Sequence, residues 1–471
     1  MSLAPEFSSS LEWLNTPPVT LAAQRGRVVA LVFFSAGSAY GSNVLEDLRF
    51  LQARHSDSLM VIGIHTPKFE AERQARLALK TINRLGVRFP VAHDPNFITW
   101  QHYGIRAWPT VVLLDLHGQV VHTVLGDLQR DALDKRINQI LDQAGSADRV
   151  FDSVQAVSRP EPRQPLQFPM GLAATATHIY VADSGHHRVI ECTPEGRILR
   201  QFGSGNAGNL DGAGGEAGFN SPRALWLTKD LLYVLDSGNH SLRRIKLLTG
   251  EVETLAGTGR VGDFSSVGKA DPRQQAMNLP CDIVGSSDRL FIAMAGANQV
   301  WEYDMVQRKL SVLAGSGQLG LSDGPAHSAS FAQPSGLALV QQTLYVADAA
   351  SSAIRSFNLG SGQVQTLVGQ GVFSFGNEDG SRASAMLQFP NGLALDPRAP
   401  LLWVVDSYNC CLRMLRLGGG EVRRFELDYR LSEPMGITVS QGSLYLSNTN
   451  AHEVLRIDPE AKSARRIPIG E

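Results

Sequence analysis

Four residue sets in the chain have the right type and spacing to suggest chemistry. The first is its 4 cysteines, Cys192, Cys281, Cys410 and Cys411. They form neither a disulfide framework nor a spaced metal quartet. The adjacent pair Cys410 and Cys411 could close only a strained vicinal disulfide, a rare arrangement, so packing is their expected role. The second set is acidic. Asp183, Asp236, Asp348 and Asp406 each end a short apolar run, while Asp211, Asp323 and Asp379 each precede a glycine. Repeated carboxylates of this kind are expected to bond main-chain N–H groups of the turn that follows. The Asp-Gly sites lack the alternating ligands of a calcium loop, and no metal or cofactor is expected. The third set is Ser38 and Ser42 at the start of a helical pattern. A serine nucleophile needs a positioned base, and nothing in the sequence sets His65, His93 or His102 beside Ser38, so helix capping is the expected role. The fourth is a series of arginines, Arg188, Arg243, Arg244, Arg355 and Arg413, cations of a kind that could meet phosphate groups. With 43 basic against 45 acidic residues, nucleic acid is not an expected partner.

The elements that carry most of these residues form a repeat. An apolar residue, Pro, a small apolar strand, a turn, a strand that usually ends in Asp, a Gly/Asn/His turn and two further strands recur six times from Leu166. The marker prolines are Pro169, Pro222, Pro280, Pro334, Pro390 and Pro434, spaced 44 to 58 residues apart. The third and sixth copies carry Met294 and Asn448 in place of the aspartate. Each copy offers about four strands and no segment long enough for a buried helix, which predicts one propeller blade per copy and radial closure that protects the sheet edges. The last copy supplies all four of its own strands, so closure without a shared blade is expected, although residues 150–165 could add an edge strand.

The pattern Pro-x-Gly-Leu-Ala, Tyr-Val-Ala-Asp and Asn/His-His-x-Val/Ile/Leu-x-Arg resembles the NHL repeat family over about 300 residues. The resemblance implies an all-β six-bladed NHL-type β-propeller at 166–471. Related six-bladed propellers include lactonases and lyases with a central metal, which gives an enzyme alternative: a hydrolase or lyase in the propeller channel. Such a site would draw different residues from different blades.

Residues 1–148 alternate strand and helix: RVVALVFF, a helix over Ser42–Arg54, LMVIGIHT, a helix over AERQARLALKTINRLG, FPVAHD, a short helix at NFITWQHYG, PTVVLLD, QVVHTVLG and a helix over Gln129–Gln143. This order predicts an α/β domain with a central sheet. The order, and the piece Tyr-Gly-Ile-Arg-Ala-Trp-Pro-Thr at 103–110, resembles the thioredoxin-like family over about 140 residues. The resemblance implies that Pro109 is cis and lies against the redox site. That chemistry needs Cys-x-x-Cys at the N-terminus of the first long helix, where the helix dipole and free N–H groups lower the thiol pKa. Here the cysteine positions hold Ser38 and Gly41, and no cysteine precedes Cys192.

The whole chain, an α/β thioredoxin-like domain at 1–148, a Pro-rich linker at 149–165 and the propeller, resembles the NHL-repeat-containing thioredoxin-like proteins as a member without the redox cysteines. The resemblance implies a non-catalytic protein that binds a protein or peptide beside Tyr40, Trp108, Pro109 and Thr110, a mode that needs no thiols. A residual thiol–disulfide role is the other enzyme alternative. A net charge of −2, 43% hydrophobic residues and 19% charged residues describe an ordinary globular chain with no global field for nucleic acid or membrane. Without a leader pattern or a membrane-length apolar run, a soluble, cytoplasmic protein is expected. The final repeat ends with the chain, so no further domain is expected after it. Oligomeric state is left open.

Overall fold

The computed structural model describes residues 3–144, 161–262, 268 and 270–470. The chain divides into two compact units, Met1–Pro162 and Arg163–Glu471. Most of the expected linker, and of the edge strand suggested at 150–165, lies outside the described residues.

The first unit is a six-stranded sheet in the order β1-β4-β3-β2-β5-β6. Its strands are β1 (Glu12–Trp13), β2 (Val28–Phe34), β3 (Leu59–His65), β4 (Val91–His93), β5 (Thr110–Leu114) and β6 (Val120–Leu125). β2 runs parallel to β3 and antiparallel to β5. β2 is apolar throughout because both sheet faces are covered. Val28, Ala30, Val32 and Phe34 join one buried cluster with residues of α1 (Ala39–Arg54), α2 (Ala75–Arg84) and α4 (Arg130–Gln143). Val29, Leu31 and Phe33 join another with residues from α3 (Ile98–His102) and the N-terminal segment. α1 begins three residues earlier than its apolar period suggests, because Ser38 caps it. The helix expected over 71–86 splits into a 3-10 turn, Ala71–Arg73, and α2.

The second unit is a six-bladed β-propeller. Each blade contains four antiparallel strands, and two blades carry a short fifth strand at Gly324–Pro325 and Gly380–Ser381. The blade-opening strands, which surround the axis, are Pro169–Ala174, Pro222–Leu227, Pro280–Gly285, Pro334–Val340, Pro390–Leu395 and Ile437–Ser440. Each blade is built from one contiguous stretch, so the ring closes without a shared blade. Ser447 Oγ donates to Met170 O at 2.6 Å and Thr449 Oγ1 to Pro169 O at 2.8 Å across that seam.

A recurring latch joins successive blades. After the second strand the chain turns through a left-handed residue: His187, His240, Asn298, Ser352, Cys410 or His452, with φ between 47° and 60°. Each of these side chains accepts a bond from a main-chain N–H of the next blade. Ser221 N reaches His187 Nδ1 at 3.1 Å, Leu279 N reaches His240 Nδ1 at 3.0 Å and Gln333 N reaches Asn298 Oδ1 at 3.1 Å. Phe389 N reaches Ser352 Oγ at 3.2 Å, Glu433 N reaches Cys410 Sγ at 3.5 Å, and Phe168 N completes the ring on His452 Nδ1 at 3.0 Å. Sulfur is a weak acceptor, so Cys410 forms the poorest of the six latches. No helix among the described residues is long and apolar enough to cross a membrane.

Candidate functional site

In the first unit, β2 ends at Phe34 and its loop leads to Ser38. Thr110 stands opposite Phe33 in the β2–β5 register. Pro109 and Trp108 therefore leave the sheet beside the strand end that leads into α1, so Ser38, Tyr40, Gly41 and the 108–110 segment share one edge of the domain. Ser38 Oγ accepts from Gly41 N at 3.2 Å as the helix N-cap, an interaction worth about 1 kcal/mol. Gly41 is buried, and a β-carbon added there would stand 3.0 Å from Ser35 O. The helix start is thus packed around a missing side chain.

Glu72, almost fully buried at 2% exposure, holds this loop in place. Its carboxylate accepts from Ser35 Oγ at 2.8 and 3.0 Å, from Gly37 N at 2.7 Å and from Lys68 N at 2.8 Å. Sequence reasoning missed it, because a lone glutamate in a helical pattern reads as a solvated face.

The Trp108–Pro109 bond is cis, in agreement with the resemblance. Thr110 is buried and donates through Oγ1 to Ala107 O at 2.7 Å, so it pins the segment from inside. Trp108 is half-buried and stacks obliquely on Trp100, with ring centroids 4.8 Å apart, while Phe97 meets it edge-on at 6.3 Å. Pro109 O accepts from Gly126 N at 2.9 Å. Among the described residues, none bonds the main-chain N–H or C=O of Trp108. These two groups can pair with an extended chain in the manner of strand addition.

Among the described residues, none of His65, His93 and His102 is hydrogen-bonded to Ser38. His65 and His93 face each other in the core with Nδ1 atoms 2.9 Å apart, and His93 Nε2 donates to Arg73 O at 3.0 Å. Burial, with His93 adding to it, pulls the His65 pKa down to about 3, so it stays neutral. His102 ends α3 on the surface. All four thiols are free and pushed upward by burial, Cys192 and Cys411 to about 12. None is an activated nucleophile.

The repeated carboxylates form a structural network that corrects one expectation. Asp183, Asp236, Asp348 and Asp406 are fully buried. The main-chain N–H groups they accept from lie in the preceding loop, not in the turn that follows. Gln167 N, Asn220 N, Ala332 N and Gln388 N each donate at 2.7 Å. The following turn contributes side chains instead, among them His186, Asn239, Ser351 and Asn409. In the departing blades, Asn448 Oδ1 takes the equivalent bond from Ser432 N at 2.6 Å and Met294 Sδ takes it from Asn278 N at 3.4 Å.

The arginines belong to the same network. Arg243, Arg355 and Arg413 are 0–1% exposed, and each bridges a buried aspartate to an Asp-Gly loop: Asp236 to Asp211, Asp348 to Asp323, and Asp406 to Asp379. Arg188 pairs with Asp183 at 2.7 Å and Arg244 with Glu253. Asp211 and Asp323 also accept from Thr254 and Thr366, and Asp379 from Arg424 N. Among the described residues, no three His, Cys, Asp or Glu side chains gather as a metal cluster.

Further polar groups lie on the propeller axis, where residues from all six blade-opening strands line a cavity of about 270 Å³. Arg223 spans it from the second blade to the fifth, donating through Nη2 to Asn391 Oδ1 at 3.1 Å. Asp282 of the third blade lines it too. These residues follow the marker prolines at one or two positions, and that offset is the signal by which the sequence could have revealed them.

No family model matches the chain. NHL repeat-containing protein 2 of Homo sapiens is 31% identical over an alignment of 518 positions, covering 99% of this chain and 71% of that protein. Protein SUPPRESSOR OF QUENCHING 1, chloroplastic, of Arabidopsis thaliana is 33% identical over 492 residues, 96% of this chain and 46% of that protein. Thioredoxin-like protein SkfH of Bacillus subtilis is 27% identical over 132 residues, 28% of this chain and 92% of that protein.

Proposed function

The chain belongs to the family of NHL repeat-containing protein 2, and from that membership we propose that it is a binding protein without thiol–disulfide chemistry. Its thioredoxin-like unit takes an extended segment of a partner protein beside Trp108 and Pro109, and the propeller serves as a rigid scaffold. The reading rests on one observation: Trp108 presents an unbonded main-chain N–H and C=O at the domain edge, next to a helix start that holds Ser38 and Gly41 in place of thiols. The half-buried indole of Trp108, supported by Trp100 and Phe97, provides an apolar wall for a side chain of the bound segment. Tyr40, half-buried on the first turn of α1, offers a second wall.

Residual redox chemistry through Cys410 fits poorly with its raised thiol pKa and with its place in a blade latch. The propeller's binding role and a cytoplasmic location belong to the same proposal.

The test is hydrogen exchange at the Trp108 amide with and without peptides selected from an array. Main-chain pairing predicts that a bound peptide slows exchange there. It also predicts that N-methylation of the peptide at the paired position, or Trp108→Ala in the protein, weakens binding about tenfold, or ~1.4 kcal/mol. Selected peptides that leave the Trp108 amide unprotected and tolerate both changes would overturn the reading.

A further inference from the structure

The axial cavity is lined by one basic and one acidic side chain, Arg223 and Asp282, that form no ion pair with each other. Arg223 is half-buried, donates one bond to Asn391 and makes no ion pair with any described residue. Asn391 is itself fixed, its Nδ2 donating to Phe389 O at 3.1 Å and Ser407 Oγ at 3.0 Å. Asp282 is held by main-chain donors alone, Ile283 N at 2.9 Å and Leu337 N at 2.8 Å. The Arg223 guanidinium acts on the Asp282 carboxyl through space, yet the two form no ion pair, although opposite charges attract in a site screened from water. Here each is tethered to a different blade, and the gap between them opens onto the cavity. The lining combines Leu225, Ile283, Leu337 and Ile437 with the polar Ser335, Asn391 and Thr438.

We propose that this channel is a binding site for a small zwitterion with an apolar side chain, an α-amino acid or a compound of that class. Its carboxylate sits on Arg223, its ammonium on Asp282 and its side chain against the aliphatic residues of the lining. The assignment follows from the chemistry of the gap. A simple carboxylate would satisfy Arg223 and leave its charge beside Asp282, and a simple amine would do the reverse. A cavity of about 270 Å³ is at the small end of ligand sites, which suits a compound of this size.

The titratable and charged groups lining the cavity are Arg223, Asp282 and Cys281. Asp282 is half-buried and keeps part of its surface open to the channel. Burial lifts its carboxyl to about 7, against smaller downward effects from the two main-chain bonds and Arg223. Burial keeps Cys281 neutral. A ligand ammonium needs ionised Asp282, so affinity for the zwitterion rises as pH climbs through about 7, whereas affinity for a plain carboxylate falls.

The test is calorimetric titration of the full chain with leucine, methionine and phenylalanine, beside 4-methylpentanoate and 3-methylbutylamine as single-charge controls. At least one amino acid is expected to bind about tenfold tighter than either control above neutral pH, with the opposite pH trends just described. Asp282→Asn should erase the preference over the carboxylate, and Arg223→Gln the preference over the amine. The comparison of ligands on the unaltered protein stands even if a variant fails to fold. Failure of all three amino acids to bind, or equal binding of zwitterion and single-charge analogue, would overturn the proposal.

Discussion

The thioredoxin-like unit and the propeller treat chemically capable residues in opposite ways. In the first unit the two positions where dithiol chemistry would need cysteines hold Ser38 and Gly41, and the surrounding frame is held in place: Ser38 caps the helix, Glu72 holds the loop and the Trp108–Pro109 bond is cis. In the propeller, carboxylates and arginines abound, and the fully buried arginines, with the aspartates they pair with, are spent on an architectural motif repeated in three blades. Among the described residues, two charged side chains that are not part of that motif, Arg223 and Asp282, line the axial cavity. In a repeat protein, then, recurrence marks construction and departure from recurrence marks a site. In a single-copy domain the same distinction has to be made from hydrogen bonding.

Substitutions can break this contrast. The largest effect is expected from Arg243→Met, which strips the buried Asp236 of its counter-charge; loss of one partner of such a pair costs about 3–5 kcal/mol, read from denaturant unfolding of the propeller. Glu72→Ala leaves Gly37 N and Lys68 N without their acceptor and should cost the first unit about 2 kcal/mol, with faster hydrogen exchange in the 35–41 loop. Cys410→His converts the weakest latch to the imidazole used at His187, His240 and His452 and should add about 0.5–1 kcal/mol to propeller stability; destabilisation would show that the thiol is there for another reason. The smallest effect is expected from Arg223→Gln, within about 1 kcal/mol of the unaltered chain, because a residue kept for a ligand gives up only the bond to Asn391. A cost as large as that of Arg243→Met would erase the contrast.

Asp282 sharpens the same contrast through pH. Its carboxyl rises from 3.8 to about 7 on folding, so folding favours the protonated form. That contribution is complete below about pH 4 and is lost as pH rises to about 7. Comparing denaturant midpoints of the unaltered chain and Asp282→Asn across this window should show the variant declining less.

Both folds were legible because each rests on a pattern longer than any local ambiguity. Six marker prolines set the blades, and the Tyr-Gly-Ile-Arg-Ala-Trp-Pro-Thr stretch with alternating strands and helices set the first unit. The role of the repeated aspartates was read only halfway, since an Asx side chain reaches the preceding loop as easily as the following turn and spacing alone does not choose. The arginines looked like a surface because nothing in the sequence shows that Asp211, Asp323 and Asp379 fold back onto them. The pairings of Glu72 with Gly37, of Asp282 with Leu337 and of Arg223 with Asn391 were not legible because each joins residues 35 or more positions apart in the chain; only the offset of Arg223 and Asp282 from the marker prolines could have pointed to those two residues.

The most direct measurement of whether the first unit binds without redox chemistry is insulin disulfide reduction by the unaltered chain beside a variant carrying Ser38→Cys and Gly41→Cys. The unaltered chain is expected to be inactive. The variant is expected to gain activity, held back by the close approach of residue 41 to Ser35 O. Turnover by the unaltered chain that disappears on Cys410→Ser or Cys411→Ser would contradict a thiol-free binding role and place redox chemistry in the propeller.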